Sequence, residues 1–122
     1  ESEQTIYGIR RLITEGGLQV VQTDILGGGG LTGGLRIAAL AEAYHLPVAP
    51  HGARFPDINC HLAAAVPNGL IVSTCPDTEP WEIWSKLYDP PFRVVDSHIQ
   101  MTDKPGLGLE LNWDFVNEYR VS

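Results

Sequence analysis

Three short apolar runs, separated by stretches with helical periodicity, constrain the fold of this chain more than any other feature. The runs are 18-LQVVQT-23, 46-LPVAP-50 and 69-GLIVS-73. Each is too short to form a typical helix, and each has turn-forming residues at its ends, which is typical of a buried β-strand. Strands that alternate with helices predict βαβ units, and therefore a parallel sheet covered by helices.

Three helices are predicted beside these strands. The first has apolar residues at helical spacing and ends at two glycines, which are a helix stop signal. The second has a broad apolar side, and the third is short. The predicted bounds are Ile6 to Gly16-Gly17, Thr32 (as the cap) to Tyr44-His45, and Asp57 or Asn59 to Ala65.

Chemically active side chains follow the predicted strands. Asp24 closes the first run, His51 follows the second, and Ser73 ends the third. Because parallel strands share a direction, their C-terminal ends meet at one edge, where ligands bind in α/β folds. A single Asp in such a place is usually a turn former, and a single His is usually structural. Together on adjacent strands, however, Asp24 and His51 predict a general-base dyad, in which the carboxylate fixes the imidazole tautomer.

The remaining chain has a different pattern. Residues 80–91 predict a short helix with an aromatic face, residues 92–101 a hairpin that turns at Asp96-Ser97, and Asn112 the start of a last helix. We therefore expect two parts, a partial (β/α) barrel over residues 1–78 and a helix and hairpin segment over residues 79–122. The second part is predicted to cap or clamp the first.

The glycines of 28-GGGLTG-33 fit the spacing G-x-G-x-x-G between a strand and a helix. A dinucleotide-binding βαβ unit is therefore a minor alternative. The carboxylate of Asp24 would lie near the pyrophosphate in such a site, and the next strand ends in His51 rather than in a ribose-binding acid. The simpler interpretation is that the glycines permit a tight turn and close packing.

Composition excludes several classes of partner. The net charge of −7 argues against a nucleic-acid surface and against a polybasic membrane patch.

Cys60 and Cys75 have no metal-binding spacing, so two reduced thiols are expected. No apolar run is long enough to span a bilayer, and the N-terminus has no signal-peptide pattern, so a cytoplasmic protein is expected. His45, His61 and His98 are predicted to be structural or on the surface.

Several motifs together resemble the C-terminal part of the enolase superfamily, in the mandelate racemase subgroup of its mandelate racemase and muconate lactonizing enzyme family. The resemblance covers nearly the whole chain, and the separations from Glu1 to Asp24 and from Asp24 to His51 also fit the family. The motifs are Glu1-Ser2, 24-DILGGGGLT-32, 35-LRIAALAEAYHLPVAPH-51 and 105-PGLGLELN-112.

The resemblance implies a fold, a cofactor and a reaction. The fold is the C-terminal portion of a (β/α)₈ TIM-like barrel, strands six to eight with their helices, plus a C-terminal clamp segment. The enzymes use Mg²⁺ to remove the proton α to a carboxylate, with Asp24 and His51 as the dyad and Glu1 as the last of three metal ligands. A sugar-acid dehydratase is favoured over a racemase or epimerase.

The chain also departs from the family pattern. Ser73 stands where relatives often have a Glu that contacts the enolate, with Glu79 a weaker candidate for that role. Gly27 stands where some members carry a Lys base, which disfavours lactonizing chemistry. The capping domain, the first barrel strands, the lysine motif and two metal ligands have no counterpart in the chain, and one Glu cannot complete an octahedral Mg²⁺ site.

These departures leave a second interpretation open. The chain would then be a catalytically inactive truncated fragment that folds or oligomerises without metal. A partial barrel exposes a strand edge and an apolar face. We therefore expect either the remainder of the barrel or self-association, as a homo-oligomer, to cover them.

Overall fold

The computed structural model describes residues 2–52, 56–74, 86–90 and 93–121. The chain divides into two compact units, Glu1–Thr74 and Cys75–Ser122, which are described separately. The domain boundary predicted between residues 78 and 79 lies outside the described residues. Within the described residues, no helix has the length and apolarity that a membrane crossing requires.

The first unit contains three helices and three extended segments that pair in parallel. The helices are α1 (Ile6–Thr14), α2 (Gly30–Ala43) and α3 (Pro56–Ala65). We refer to residues 21–24, 48–51 and 69–70 as the first, second and third strand segments. The parallel bridges join Val21 to Val48, Asp24 to His51, and Val48 to Gly69, so that the second segment lies between the other two.

Backbone hydrogen bonds fix the register of this pairing. Val21 N–H donates to Pro47 O at 2.9 Å, and Ala49 N–H donates to Val21 O at 3.0 Å. On the other side, Val48 N–H donates to the carbonyl oxygen of Asn68 at 2.8 Å. This slanted, alternating pattern is that of a parallel ladder, as the three apolar runs predict.

The core of the first unit forms where the strand segments pack against the helices. Val21 is fully buried and Val48 is 2% exposed, and both lie in one apolar cluster with residues of α1 and α2. Burial of such side chains contributes about 1.5–3 kcal/mol each. The helical members of this cluster are Ile9, Ile37, Ala38 and Ala41.

Helix α1 is capped by Thr5, whose hydroxyl oxygen accepts a hydrogen bond from Gly8 N–H at 3.1 Å. Glu3 in turn accepts from the backbone N–H and the hydroxyl of Thr5, both at 2.8 Å. These hydrogen bonds, the backbone one first, lower the pKa of the Glu3 carboxyl. Gly16 follows the helix with a φ of 83°, in the left-handed region that glycine adopts most easily.

Helix α2 begins earlier than the sequence predicts. Thr32 was expected to cap it, but the helix starts at Gly30 and its cap residue is Gly29, with a φ of 91°. Gly30 N–H donates to Ile25 O at 2.7 Å, which closes the turn without any capping side chain. Glycine therefore replaces the usual polar cap, because the chain must reverse in a left-handed conformation here.

Two further features tie the helices to the strand segments. Helix α3 includes Pro56, so it begins before either predicted start, Asp57 or Asn59. The Nδ2 of Asn68 donates to Ala38 O in α2 and to Leu46 O, both at 3.0 Å. Asn68 thus holds the turn before the third strand segment against α2.

The second unit contains a hairpin and a short helix. Strands β1 (Val94–Val95) and β2 (His98–Ile99) pair antiparallel, and the positive φ angles of Asp96 and Ser97 form the predicted turn. Helix α4 (Trp113–Glu118) begins at Asn112, whose side chain accepts from Phe115 N–H at 3.2 Å. This cap is the one that the sequence predicts.

The predicted helix over residues 80–91 is wrong at its C-terminal end. Tyr88 is bridged antiparallel to Leu111, and Asn112 N–H donates to Leu87 O at 2.9 Å. The local aromatic pattern suggests a helix, but pairing with a distant segment determines the conformation of Leu87 and Tyr88. Residues 80–85, the start of the predicted helix, lie outside the described residues.

Of the two cysteines, Cys60 is buried and Cys75 lies outside the described residues.

We expect Gly33→Ala to destabilise the protein although alanine is the better helix former. A Cβ at Gly33 would overlap the carbonyl oxygen of Gly28, which is backbone and cannot move aside easily. Overpacking of this kind costs about 1–3 kcal/mol, more than the gain of about 1 kcal/mol in helix propensity. Urea unfolding measures the difference.

Gly8→Ala is the matched control, because it is also a helical glycine. A Cβ at Gly8 would meet only the carboxylate of Glu3, the end of a flexible side chain. Its free energy of unfolding should stay within about 1 kcal/mol of that of the wild type. Equal stability of the Gly33→Ala and Gly8→Ala variants would show that the contact between Gly28 and Gly33 does not constrain the fold.

Candidate active site

The parallel ladder brings Asp24 and His51 directly opposite each other. They are bridge partners at the C-terminal end of the first and second strand segments. His51 N–H donates to Thr23 O at 3.1 Å, which sets this register. Side chains alternate between the two faces of a strand, so residues paired in register project from the same face.

Burial agrees with this alternation in the first strand segment. Thr23 is 3% exposed and Ile25 is 2% exposed, whereas Asp24 between them is half-buried. In the second strand segment, residues 48–50 are all buried and His51 at its end is half-buried, so burial alternates only in the first segment. The buried neighbours hold the backbone in place, and both Asp24 and His51 are partly exposed, although Nδ1 of the His51 ring is itself buried.

The carboxylate of Asp24 is oriented by its own turn. Its Oδ1 accepts a hydrogen bond from Leu26 N–H at 2.9 Å, and its carbonyl oxygen accepts from Gly28 N–H at 2.9 Å. This arrangement is typical of Asp in turns that begin after a strand. An ionised carboxylate has four lone-pair sites, so Asp24 can still accept from a further donor.

Gly52 follows His51 in the chain and lies close to the Asp24 carboxylate. It has a φ of 114°, and a Cβ placed on it would lie 3.8 Å from Oδ1 and 3.9 Å from Cγ of Asp24. The Asp24 carboxylate therefore packs against the residue next to His51. Any larger residue at this position would be strained by the positive φ, and its Cβ would lie in van der Waals contact with the carboxylate.

Of the other residues considered for the site, the structure describes Ser73 and Gly27 but not the two glutamates. Glu1 and Glu79 lie outside the described residues. Ser73 is half-buried and lies four residues beyond the bridge at Gly69. Gly27 is covered by Gln4, whose side chain would collide with any Cβ at that position. A lysine base could occupy this position only if Gln4 moved.

The described residues do not supply a metal site. Among them, no group of three His, Cys, Asp or Glu side chains is close enough together to hold a metal ion. Mg²⁺ requires near-octahedral oxygen coordination, to which the family resemblance assigns only Glu1 from this chain. The residues that the structure describes therefore do not fit a complete Mg²⁺ site.

The glycine-rich segment has a packing explanation. Gly33 lies against the carbonyl group of Gly28, and a Cβ on Gly34 would lie 2.7 Å from Cδ2 of Leu62 and 2.9 Å from Cγ2 of Ile25. The glycines are thus needed where α2 approaches the turn after Asp24 and the side chains beneath it. Within the G-x-G-x-x-G spacing, close packing accounts for Gly28 and Gly33, and a positive φ of 67° accounts for Gly30.

One further residue, Asn59, lies at this edge, and its contacts are not predicted by the sequence. Asn59 is 2% exposed, and its Nδ2 donates to the carbonyl oxygens of His51 and Gly52, both at 3.0 Å. It was considered only as a possible helix start. The available signal was the amide of Asn59 between Ile58 and Cys60, because a polar side chain that is buried among apolar residues needs a partner.

Comparison with known proteins identifies the family. The model of the family described as enolase C-terminal domain-like matches residues 1–115. D-xylonate dehydratase of Haloferax volcanii is 30% identical over 118 residues, which are 94% of this chain and 28% of that protein. D-gluconate dehydratase of Thermoproteus tenax is 32% identical over 113 residues, which are 89% of this chain and 22% of that protein.

Solved structures agree with this result. The crystal structure of a mandelate racemase/muconate lactonizing enzyme from a marine actinobacterium, in complex with magnesium, has a TM-score of 0.86 and 34% identity. The match covers 99% of this chain and 33% of that one. This chain therefore spans about a third or less of the relatives that it matches. Because the family model matches almost the whole chain, the chain belongs to the enolase superfamily, in its mandelate racemase and muconate lactonizing enzyme family.

Proposed function

We propose that Asp24 and His51 are the proton-transfer dyad of a sugar-acid dehydratase. The observation that carries the proposal is their pairing in register at the end of the parallel ladder. The names of the relatives support the substrate class, since they include D-xylonate dehydratase and D-gluconate dehydratase. A racemase or epimerase would use the same first step, and the relatives favour dehydration over it.

In the proposed mechanism, Asp24 accepts a hydrogen bond from one ring nitrogen of His51. This fixes the imidazole tautomer, and the other ring nitrogen exchanges a proton with the substrate. Dehydration breaks the C–H bond α to the carboxylate and the C–O bond of the β-hydroxyl, and water leaves. His51 serves either as the base that takes the α-proton or, as imidazolium, as the acid that protonates the departing hydroxyl.

The negative charge that develops beside the carboxylate needs electrostatic stabilisation. In the complete enzyme we assign that task to Mg²⁺, to which this chain contributes Glu1, with the other ligands from outside it. Ser73 is proposed as a substrate contact or as a hydrogen-bond donor on the enolate side. The remainder of a barrel, or a second copy of the chain, would complete the site around the edge that carries Asp24 and His51.

His51→Asn should abolish turnover while leaving the fold intact. The variant keeps the backbone hydrogen bond to Thr23 but loses the imidazole, the group proposed to exchange a proton with the substrate. We expect the rate of product formation from D-xylonate, D-gluconate or D-galactonate to fall at least about 10³-fold, measured with Mg²⁺ in the full natural polypeptide. His45→Asn is the matched control, because His45 is exposed and has a φ of 57°, which asparagine tolerates well.

Asp24→Asn separates the charge of this residue from its structural role. The amide oxygen can still accept from Leu26 N–H, so the melting temperature should change by no more than a few degrees. Turnover should fall by about 10³- to 10⁴-fold, because the imidazole would lose the carboxylate that fixes its tautomer. Activity within tenfold of the wild type for either Asp24→Asn or His51→Asn would contradict the proposed dyad.

An inactive fragment is the second candidate, because the described residues contain no group that could hold a metal ion. Calorimetric titration of the natural polypeptide with Mg²⁺ distinguishes the two. We expect micromolar binding that Glu1→Gln weakens at least tenfold, since carboxylates are the ligands that Mg²⁺ prefers. Undetectable binding at millimolar Mg²⁺, together with absence of turnover, would favour the inactive fragment.

A further inference from the structure

Asn59 holds the backbone on the C-terminal side of His51. Its side-chain amide donates to two consecutive carbonyl oxygens, those of His51 and Gly52, both at 3.0 Å. The residue is 2% exposed, so water cannot easily replace these hydrogen bonds. A Cβ on Gly52 would lie 3.3 Å from Asn59 Nδ2, so the amide packs directly against the chain that leaves the sheet.

On the N-terminal side of His51, the parallel strand pairing fixes the backbone. The N–H of His51 donates to Thr23 O at 3.1 Å, at the last parallel bridge between the first and second strand segments. The peptide groups before and after a residue together determine the direction of its Cα–Cβ bond. For His51, one of these groups is fixed by the strand pairing and the other by Asn59.

These hydrogen bonds are needed because the backbone has an unusual conformation here. Gly52 has a φ of 114°, and glycine has the largest conformational freedom of any residue. Without Asn59, the carbonyl groups of His51 and Gly52 would lose their fixed donor just where the ladder ends. The backbone at His51 could then rotate, and the imidazole would no longer remain in one position relative to Asp24.

We propose that Asn59 is a positioning residue for His51: it acts through the backbone and touches no reacting atom. This proposal rests on the proposed function in one respect: the expected effect of Asn59 on turnover assumes that His51 belongs to the dyad. Its structural part, that Asn59 determines the orientation of the His51 ring, can be tested without any substrate. A loss of position of about 1 Å can reduce a rate by about 100-fold.

The chain offers a closely matched control in Asn68. Its Nδ2 also donates to two carbonyl oxygens at 3.0 Å, those of Ala38 and Leu46. Asn68, however, precedes the third strand segment and lies at the opposite end of the sheet from His51. Asn59→Ala and Asn68→Ala therefore remove the same number and type of hydrogen bonds, but only the first removes them from His51.

The first measurement compares the steady-state kinetics of these variants in the full natural polypeptide. Asn59→Ala should lower kcat by about 10- to 100-fold and change KM by less than about threefold, since it disturbs the dyad rather than substrate binding. Asn68→Ala should keep kcat within about threefold, although it lowers the melting temperature by a similar amount. Asn59→Ser, whose hydroxyl restores one donor, should lie between Asn59→Ala and the wild type.

The second measurement is the NMR spectrum of the histidine rings in the same polypeptides without substrate. Asn59→Ala should shift or broaden the His51 ring signals, and Asn68→Ala should leave them unchanged. If Asn59→Ala does not fold, Asn59→Ser is compared with Asn68→Ala in the same way. Unchanged His51 signals in the Asn59 variants, or equal losses of kcat in the Asn59 and Asn68 variants, would overturn the proposal.

The two measurements also separate this proposal from the proposed function. If His51→Asn retains turnover, the dyad is wrong, and the kinetic comparison no longer bears on Asn59. The NMR comparison would still decide whether Asn59 orients the His51 ring. If instead His51→Asn is inactive and the Asn59 variants are fully active, the dyad stands and the positioning role of Asn59 is refuted.

Discussion

The parallel pairing of the first two strand segments is the constraint on which the rest of the first unit depends. Hydrogen bonds from Val21, Ala49 and His51 fix one register between residues 21–24 and 48–51. A slip by one residue would turn every side chain of one segment to the opposite face. Val48 would then leave the apolar cluster that includes Val21, at a cost of about 1.5–3 kcal/mol for that side chain alone. The core therefore enforces the register.

The same register determines the candidate site. The bridge between Val21 and Val48 lies three residues before the bridge between Asp24 and His51 on both segments. Because the separation is odd, a valine pair directed toward the helices requires a pair of polar side chains directed to the other face. The stability of the core and the geometry of the proposed dyad thus share one physical cause. Substitutions in the core that disturb the register should affect both.

Much of this architecture could be predicted from local sequence. Short apolar runs between helical patterns predict the parallel order, and the Asp96-Ser97 turn and the Asn112 cap follow from their own residues. Predictions failed where distant contacts decide the conformation. The early start of α2 depends on the positive φ of Gly29 rather than on Thr32, and the pairing of Tyr88 with Leu111 replaces the end of a predicted helix.

The candidate site could be predicted in part for the same reason. Asp24 and His51 each end an apolar run, so a parallel sheet brings them together. The hydrogen bonds of Asn59 connect α3 to the end of the second strand segment, and no local pattern predicts such a contact. The metal ligands are a harder case, since the family resemblance assigns only Glu1 from this chain. The chain belongs to the enolase superfamily and spans about a third or less of the relatives that it matches.

The central claim is that strand register places the Asp24 carboxylate beside the His51 imidazole. A high-resolution crystal structure of the full natural polypeptide tests it most directly, through the distance between a carboxylate oxygen of Asp24 and the nearer ring nitrogen of His51. Our account predicts a hydrogen bond of about 2.6–3.2 Å between these atoms. Side chains directed to opposite faces of the sheet, or a separation too long for a hydrogen bond or a single bridging water, would contradict it.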